Sequence, residues 1–338
     1  MFGRRTQSLK KLWRADIGEH VIALAWSPDG ATLAAAAVGG PVFLFDGTGT
    51  VTQRLEGHGF GTADLAWNPR TSVLASAGQD GKVRLWDRAN GQSVKALEGG
   101  AAWVDHVAWS ADGSYLATAA GKKVRLFNQA GEPLREWANH PSTVADIQWR
   151  PRGLELASAA YGKLSVFKPS QDEPLHVFEW KGSMLALAWS PDGKHIATGD
   201  QDSTVHFWIV KTGRDLMMSG YPSKVRELSW DPTGRYLATG GSPTICVWDT
   251  AGKGPAGTKP IELEGHAELV KALAYQSFGP LLASACAGGR LALWSPAKSE
   301  KTLTQEAHGS GATQLAWAPD DKRLALGCES GEVAVYSV

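Results

Sequence analysis

The sequence predicts an all-β protein, an eight-bladed β-propeller with four antiparallel strands per blade, on three observations. One aromatic position recurs eight times, as Trp26, Trp67, Trp109, Trp149, Trp189, Trp230, Tyr275 and Trp317, at intervals of 40 to 45 residues. Each recurrence ends a short segment of alternating apolar and polar side chains, the period of a strand and not of a helix. Pro and Gly interrupt the chain about every ten residues, which leaves room only for short strands. A unit of about 42 residues holding four such strands has the size of one propeller blade.

The elements follow in the same order in each unit. The first strand is ALAW (23–26), DLAW (64–67) or ELSW (227–230), and a tight turn such as SPDG (27–30 and 190–193) or DPTG (231–234) reverses it. A small-residue strand comes next: LASAG (74–78), LATAA (116–120), IATGD (196–200) or LATGG (237–241). The third strand is VRLWD (83–87), VRLFN (124–128), VHFWI (205–209), ICVWD (245–249) or LALWS (291–295). A weaker fourth strand, such as VKALEG (94–99) or PLREW (133–137), closes the unit. The whole chain, 1–338, reads as a single domain with blades at 21–55, 63–97, 104–137, 144–178, 184–218, 225–263, 269–305 and 312–338. The last unit stops after its third strand, VAVYSV (333–338), and the leading segment 8–16 is expected to supply its fourth. Such pairing closes the ring and removes unpaired edges. The basic residues Arg4, Arg5, Lys10, Lys11 and Arg14 read as a solvated tail and a Lys-protected edge. The loop 251–260 is the longest departure from the repeat.

Bulk composition narrows the function. Lys plus Arg number 34 and Asp plus Glu 34, so no global positive field draws nucleic acid, and no nucleic-acid partner is expected. No apolar run reaches the length of a transmembrane helix, and the basic leading residues are not followed by a signal-type apolar stretch. No membrane association is expected. Three cysteines, Cys246, Cys286 and Cys328, do not make a disulfide framework, and a reducing, cytoplasmic location is the expectation. Cys286 and Cys328 occupy equivalent second-strand positions, yet neither has a nearby second ligand of CxxC or HExxH type, so no metal is assigned. No phosphate-binding glycine loop appears, and no cofactor is assigned.

The segments VIALAWSPDG (21–30), LASAGQDGKVRLWD (74–87) and LEGH (55–58) resemble WD40 repeats, and the resemblance runs over essentially the whole chain. The Trp-Asp pair itself survives only at Trp86–Asp87 and Trp248–Asp249, and Gly-His only at Gly57–His58 and Gly265–His266. Read alone, His58, Ser76 and Asp80 invite a hydrolase reading, but no nucleophile elbow or oxyanion hole accompanies them. The resemblance implies instead a buried structural tetrad of His58, Ser76, Asp80 and Trp86. Other units keep parts of it: Thr198, Asp202 and Trp208 in the fifth, His266, Ser284 and Trp294 in the seventh with Gly288 in place of Asp, and His308 in the eighth.

The resemblance also implies a binding face made by the fourth-to-first and second-to-third strand loops, here the top face. The positions six and four residues before each recurring aromatic include Trp103 and Asp105, Lys224 and Arg226, and Lys271. The positions before the tetrad Asp add Gln79, Gln201 and Tyr161, and Tyr221 lies beside the basic group. An aromatic sector facing a cationic one suits an acidic or phosphorylated segment of a protein or peptide partner. The expected function is therefore a monomeric interaction scaffold and not an enzyme. Two other readings compete. One is a propeller enzyme holding a metal or quinone in its central channel, lactonase-like or dehydrogenase-like, which needs converging acids where the first strands show mostly Ala, Leu and Val. The other, from resemblance to stand-alone bacterial WD-repeat proteins, is an accessory to a GTPase metal chaperone.

Overall fold

A computed structural model describes residues 8–338 apart from 102, 139 and 253. Arg4 and Arg5 lie outside the described residues, as does residue 253 of the 251–260 loop. Among the described residues all strand pairing is antiparallel, and the strands are hydrogen-bonded into seven sheets, six of four strands and one of six. The expectation of eight separate blades is corrected by this count. The eight sequence repeats occupy seven sheets because the fourth and fifth share one.

That compound sheet runs Val144–Trp149, Leu156–Phe167, His176–Trp189, His195–Asp200, Val205–Ile209 and Arg214–Met218. Elsewhere the second and third strands are separate, as in Val73–Gly78 and Lys82–Asp87, with a loop between the fourth strand and the next first strand, as between Val51–Leu55 and Thr62–Trp67. In the compound sheet the fourth-to-first connection is one residue shorter than in the second repeat. Tyr161 pairs directly with Ser183, and after a register shift the ladder resumes with Lys163 opposite Glu179. That pairing across the two connections makes one long strand on each side.

At the other end of the chain, Lys10–Asp16 pairs antiparallel with Glu332–Ser337, matching Trp13 with Val335 and Ala15 with Val333. Trp13 is buried there and stacks on Phe45 at 5.4 Å between ring centres. The leading strand thus joins the last repeat to the first.

The recurring aromatic explains itself once the sheets are assembled. The indole N–H of Trp67 donates to Ala25 O, Trp149 to Ala108 O, Trp189 to Gln148 O, Trp230 to Ala188 O, Trp317 to Ala274 O and Trp26 to Ala316 O, all at 2.9–3.1 Å. Each acceptor directly precedes the recurring aromatic of the preceding repeat, so each of these six Trp spans one inter-repeat gap, whereas the Trp109 indole N–H has no hydrogen-bond partner among the described residues. Second strands are rich in Ala because they are closed in from both sides: Leu33 to Ala37 are all at most 1% exposed. Apolar side chains of neighbouring repeats share clusters, as where Val42, Leu44 and Leu55 pack on Leu65, Trp67 and Trp86.

Candidate top-face site and the networks beneath it

Of the residues with the look of a catalytic triad, His58 and Ser76 are buried, while Asp80 is partly exposed and is also held by Arg84 at 2.7 Å. His58 Nδ1 lies 2.8 Å from Asp80 Oδ1, His58 Nε2 lies 2.8 Å from Ser76 Oγ, and the Trp86 indole N–H donates to Ser76 Oγ at 2.9 Å. Burial lowers the His58 pKa, which favours the neutral ring. A neutral ring donates from Nδ1 to the carboxylate and accepts the serine O–H at Nε2, which leaves Ser76 oxygen free to accept from Trp86. No hydroxyl is exposed as a nucleophile.

The same position, nine residues before each recurring aromatic, carries more of these networks than the sequence motif shows. His140 Nε2 lies 2.8 Å from Ser158 Oγ, and His266 Nε2 lies 2.7 Å from Ser284 Oγ, to which Trp294 also donates. His308 is held by Glu332 at Nδ1 and by the Tyr336 hydroxyl at Nε2. Tyr221 occupies this position in the sixth repeat. Its hydroxyl meets Thr239 Oγ1 at 2.8 Å and accepts from the Trp248 indole at 2.8 Å. Tyr221 is only 8% exposed, so it stands beneath the surface and not beside the basic residues on it. His140 and Tyr221 were missed because neither sits in a Gly-His pair. Counting back from the aromatic finds both. The absence of Asp at Gly288 shows as a buried His266 Nδ1 without a hydrogen-bond partner among the described residues.

The inner ring is more acidic than expected. Three residues before the recurring aromatic stand Asp64, His106, Asp146 and Glu227. The acid-free channel wall is therefore corrected. Two of these acids have structural work. Asp64 accepts from the Val107 N–H at 3.0 Å and Asp146 from the Leu187 N–H at 2.8 Å, in each case a donor on the inner strand of the next repeat. An inner strand is a sheet edge, and these carboxylates satisfy backbone donors that the ladder leaves unpaired. Burial pushes Asp146 up to about 6, eased by His106 and aggravated by Asp64, so the three side chains act on one another across the ring. Among the described residues no three His, Cys, Asp or Glu side chains are grouped to hold a metal ion. Cys286 and Cys328 are buried free thiols, and burial raises Cys328 to about 11.

Above this ring the top face opens into a cavity of about 730 Å3 lined by Trp103, Asp105, Gln79 and Arg226, with Val38, Ile22, His106 and Thr143. Trp103 is 58% exposed. The structure thus brings four of the sequence-selected residues to one wall, including Arg226 from the sector across the ring. Lys224 and Lys271 are exposed outside that wall, and none of the three cations forms an ion pair among the described residues. Tyr161 and Gln201 are exposed elsewhere on the same face, and Tyr161 donates its N–H to Ser142 Oγ. Sequence reasoning missed Val38 (46% exposed), which lines the cavity with Trp103, and Phe60 (78% exposed), in the loop before the second repeat's first strand. Phe60 lies one residue before the projected position Gly61.

Comparison with known proteins agrees with this architecture. The model of the WD domain, G-beta repeat (WD40), matches residues 49–87, 91–128, 172–208, 215–249 and 257–295, more than half of the chain. The chain belongs to the WD40-repeat family. Among curated WD40-repeat relatives, the anaphase-promoting complex subunit cdc20 of Dictyostelium discoideum is 27% identical over 64% of this chain and 45% of its own length. Actin-interacting protein 1 of Drosophila melanogaster is 27% identical over 56% of this chain and 32% of its own. The B-type cell cycle switch protein ccs52A of Medicago truncatula is 25% identical over 65% and 48%. The chain therefore matches less than half the length of these relatives. All three come from eukaryotes and lend no support to a bacterial-type assignment. The crystal structure of the computationally designed Ika8 protein superposes with a TM-score of 0.84 at 23% identity, covering 97% of this chain and 99% of that one, which is a likeness of fold. WD40 membership accounts for the buried His-Ser-Asp-Trp set and for the loops that frame the top-face cavity.

Proposed function

We propose that this WD40-repeat chain is a protein-interaction scaffold that seats an acidic or phosphorylated segment of a partner protein over the top-face cavity. The observation that carries the reading is the joining of Trp103 and Arg226 in one cavity wall, with Lys224 and Lys271 unpaired beside it. An exposed Trp over a rigid scaffold is the kind of anchor that dominates binding, and an unpaired Arg can grip a carboxylate or phosphate with two hydrogen bonds. The relatives' names, a complex subunit and an actin-interacting protein, support an interaction role. An enzymatic channel gains little from Asp64 and Asp146, because their oxygens are engaged by Val107 and Leu187. Three free thiols, two of them buried, fit a reducing compartment such as the cytoplasm.

The test is selection from an immobilised library of acidic and phosphorylated peptides. Wild-type protein should enrich a common sequence, and Trp103→Ala and Arg226→Glu should each abolish the enrichment at an unchanged melting temperature. Enrichment that survives both substitutions places the site elsewhere.

A further inference from the structure

The fourth repeat departs from its siblings at the turn after the recurring aromatic. In the first, third and fifth repeats this turn holds a Ser whose hydroxyl donates to an Asp two residues on: Ser27 to Asp29, Ser110 to Asp112 and Ser190 to Asp192, at 2.6–2.7 Å. The equivalent positions of the fourth repeat are Arg150 and Arg152. A hydrogen-bonded pair bearing one negative charge has become two positive charges, at the loss of the local bond that shapes the turn.

Both arginines line a cavity of about 580 Å3 on the lower face, opposite the top-face site, and Arg135 and Lys168 line it with them. Glu155 is the one carboxylate in its wall. It is shared by Arg150 at 3.3 Å and Lys168 at 3.8 Å, while Arg135 is paired with Asp172. Arg152 is exposed and has no hydrogen bond or ion pair among the described residues. Arg150 Nε is buried without a hydrogen-bond partner, and its guanidinium lies over the Trp189 ring. A chain with a formal net charge of zero thus concentrates unmatched positive charge in one concavity. Gathering like charges is unfavourable unless an anion completes the site.

We propose that this lower-face cavity binds a small organic phosphate carrying two or more phosphoryl groups. Guanidinium groups are suited to two-pronged contact with phosphate oxygens. The volume lies within the range of about 300–1,000 Å3 usual for small-molecule sites and exceeds what inorganic phosphate fills. Leu134 and Leu154, 47% and 37% exposed, offer apolar wall to the organic part.

Titration calorimetry of the full chain at low ionic strength, with adenosine triphosphate, pyrophosphate and sulfate as probes, tests the site. Adenosine triphosphate should bind most tightly, pyrophosphate more weakly and sulfate not measurably. Arg152→Glu should weaken the triphosphate by about tenfold or more, the loss of one charge-assisted contact. Arg152→Gln should fall between, and it serves if the Glu variant does not fold. Lys224→Glu on the opposite face should leave the affinity unchanged, which separates this test from that of peptide binding. The proposal is overturned if the triphosphate gives no binding, if sulfate binds equally well, or if both Arg152 variants bind like wild type.

Discussion

The second and fifth repeats solve one packing problem in two ways. In the second, His58 descends between two sheets and is held by Ser76 and Asp80, with Trp86 completing a polar network. In the fifth, Trp180 stands where His58 does. Its ring lies 4.0 Å from that of His206, which in turn lies 5.6 Å from Trp208, and Phe178 packs on Trp208 at 5.5 Å. Of the tetrad bonds only one remains, from the Trp208 indole to Thr198 Oγ1 at 3.2 Å, while His206 is held separately by Asp215 at 2.9 Å. The fifth repeat also shares one sheet with the fourth, a link the second lacks. Aromatic packing and a shared sheet take over where the tetrad is absent.

If that is so, the two repeats should answer differently to the same kind of substitution. The largest effect is expected for Trp208→Ala, about 3–5 kcal/mol of stability, because the stack loses its central ring and leaves a cavity. Ser76→Ala should be next, at about 2–4 kcal/mol, since it strips partners from both the His58 and Trp86 nitrogens. Thr198→Val should cost only about 1 kcal/mol, because a single indole N–H is orphaned. Urea denaturation of the three variants gives the ranking. Equal losses for Ser76→Ala and Thr198→Val would erase the distinction between the two repeats.

The two arrangements should also respond to pH with opposite sign. His266, in a network like that of His58, is held at about 4 by burial, against 6.5 for the free group. Between those values the unfolded chain binds the extra proton, so stability present above 6.5 is lost as pH falls through about 4. In the fifth repeat, burial and the Asp202 charge raise Asp200 from 3.8 to about 8, with neither carboxyl oxygen in normal hydrogen-bond geometry. Its contribution is full below 3.8 and is lost as pH rises through about 8. Asp200→Asn should therefore remove a loss that accumulates as pH rises from 3.8 to about 8 and raise stability at pH 9 by on the order of 1–2 kcal/mol. His266→Gln should flatten the acid limb instead. Denaturation midpoints measured from pH 4.5 to 9 decide the matter, and an Asp200→Asn curve parallel to wild type would contradict the assignment.

The sequence exposes the repeat because the inter-repeat Trp must recur at fixed spacing to reach the preceding strand. It conceals the sheet count, because fusion of two sheets depends on the backbone pairing of Tyr161 with Ser183, and the short turn at Tyr161 is shared with the third and sixth repeats, whose strands stay separate. The tetrad of His58 was legible as a motif, whereas His140 and Tyr221 do the same work with different neighbours and show only when counted from the aromatic. The channel acids were overlooked because ALAW and LALAW dominate the first strands to the eye, although Asp64, His106, Asp146 and Glu227 share one register position. The top-face cavity needed the ring itself, since Arg226 and Trp103 are more than a hundred residues apart in the chain.

The smallest effect sharpens the comparison most. Thr198, Asp202 and Trp208 of the fifth repeat already occupy the positions of Ser76, Asp80 and Trp86. Trp180→His supplies the missing member and removes the ring that stacks on His206. If polar network and aromatic stack are alternative answers to one packing demand, gain and loss nearly cancel. The change in stability should then stay within about 1 kcal/mol, whereas truncation of a fully buried Trp to Ala costs about 3–5 and that of the half-buried Trp180 somewhat less. A new imidazole with a lowered pKa, followed by NMR titration, would show that the network had formed. A loss as large as that of truncation would mean that the fifth repeat depends on its stack in a way that no histidine can replace.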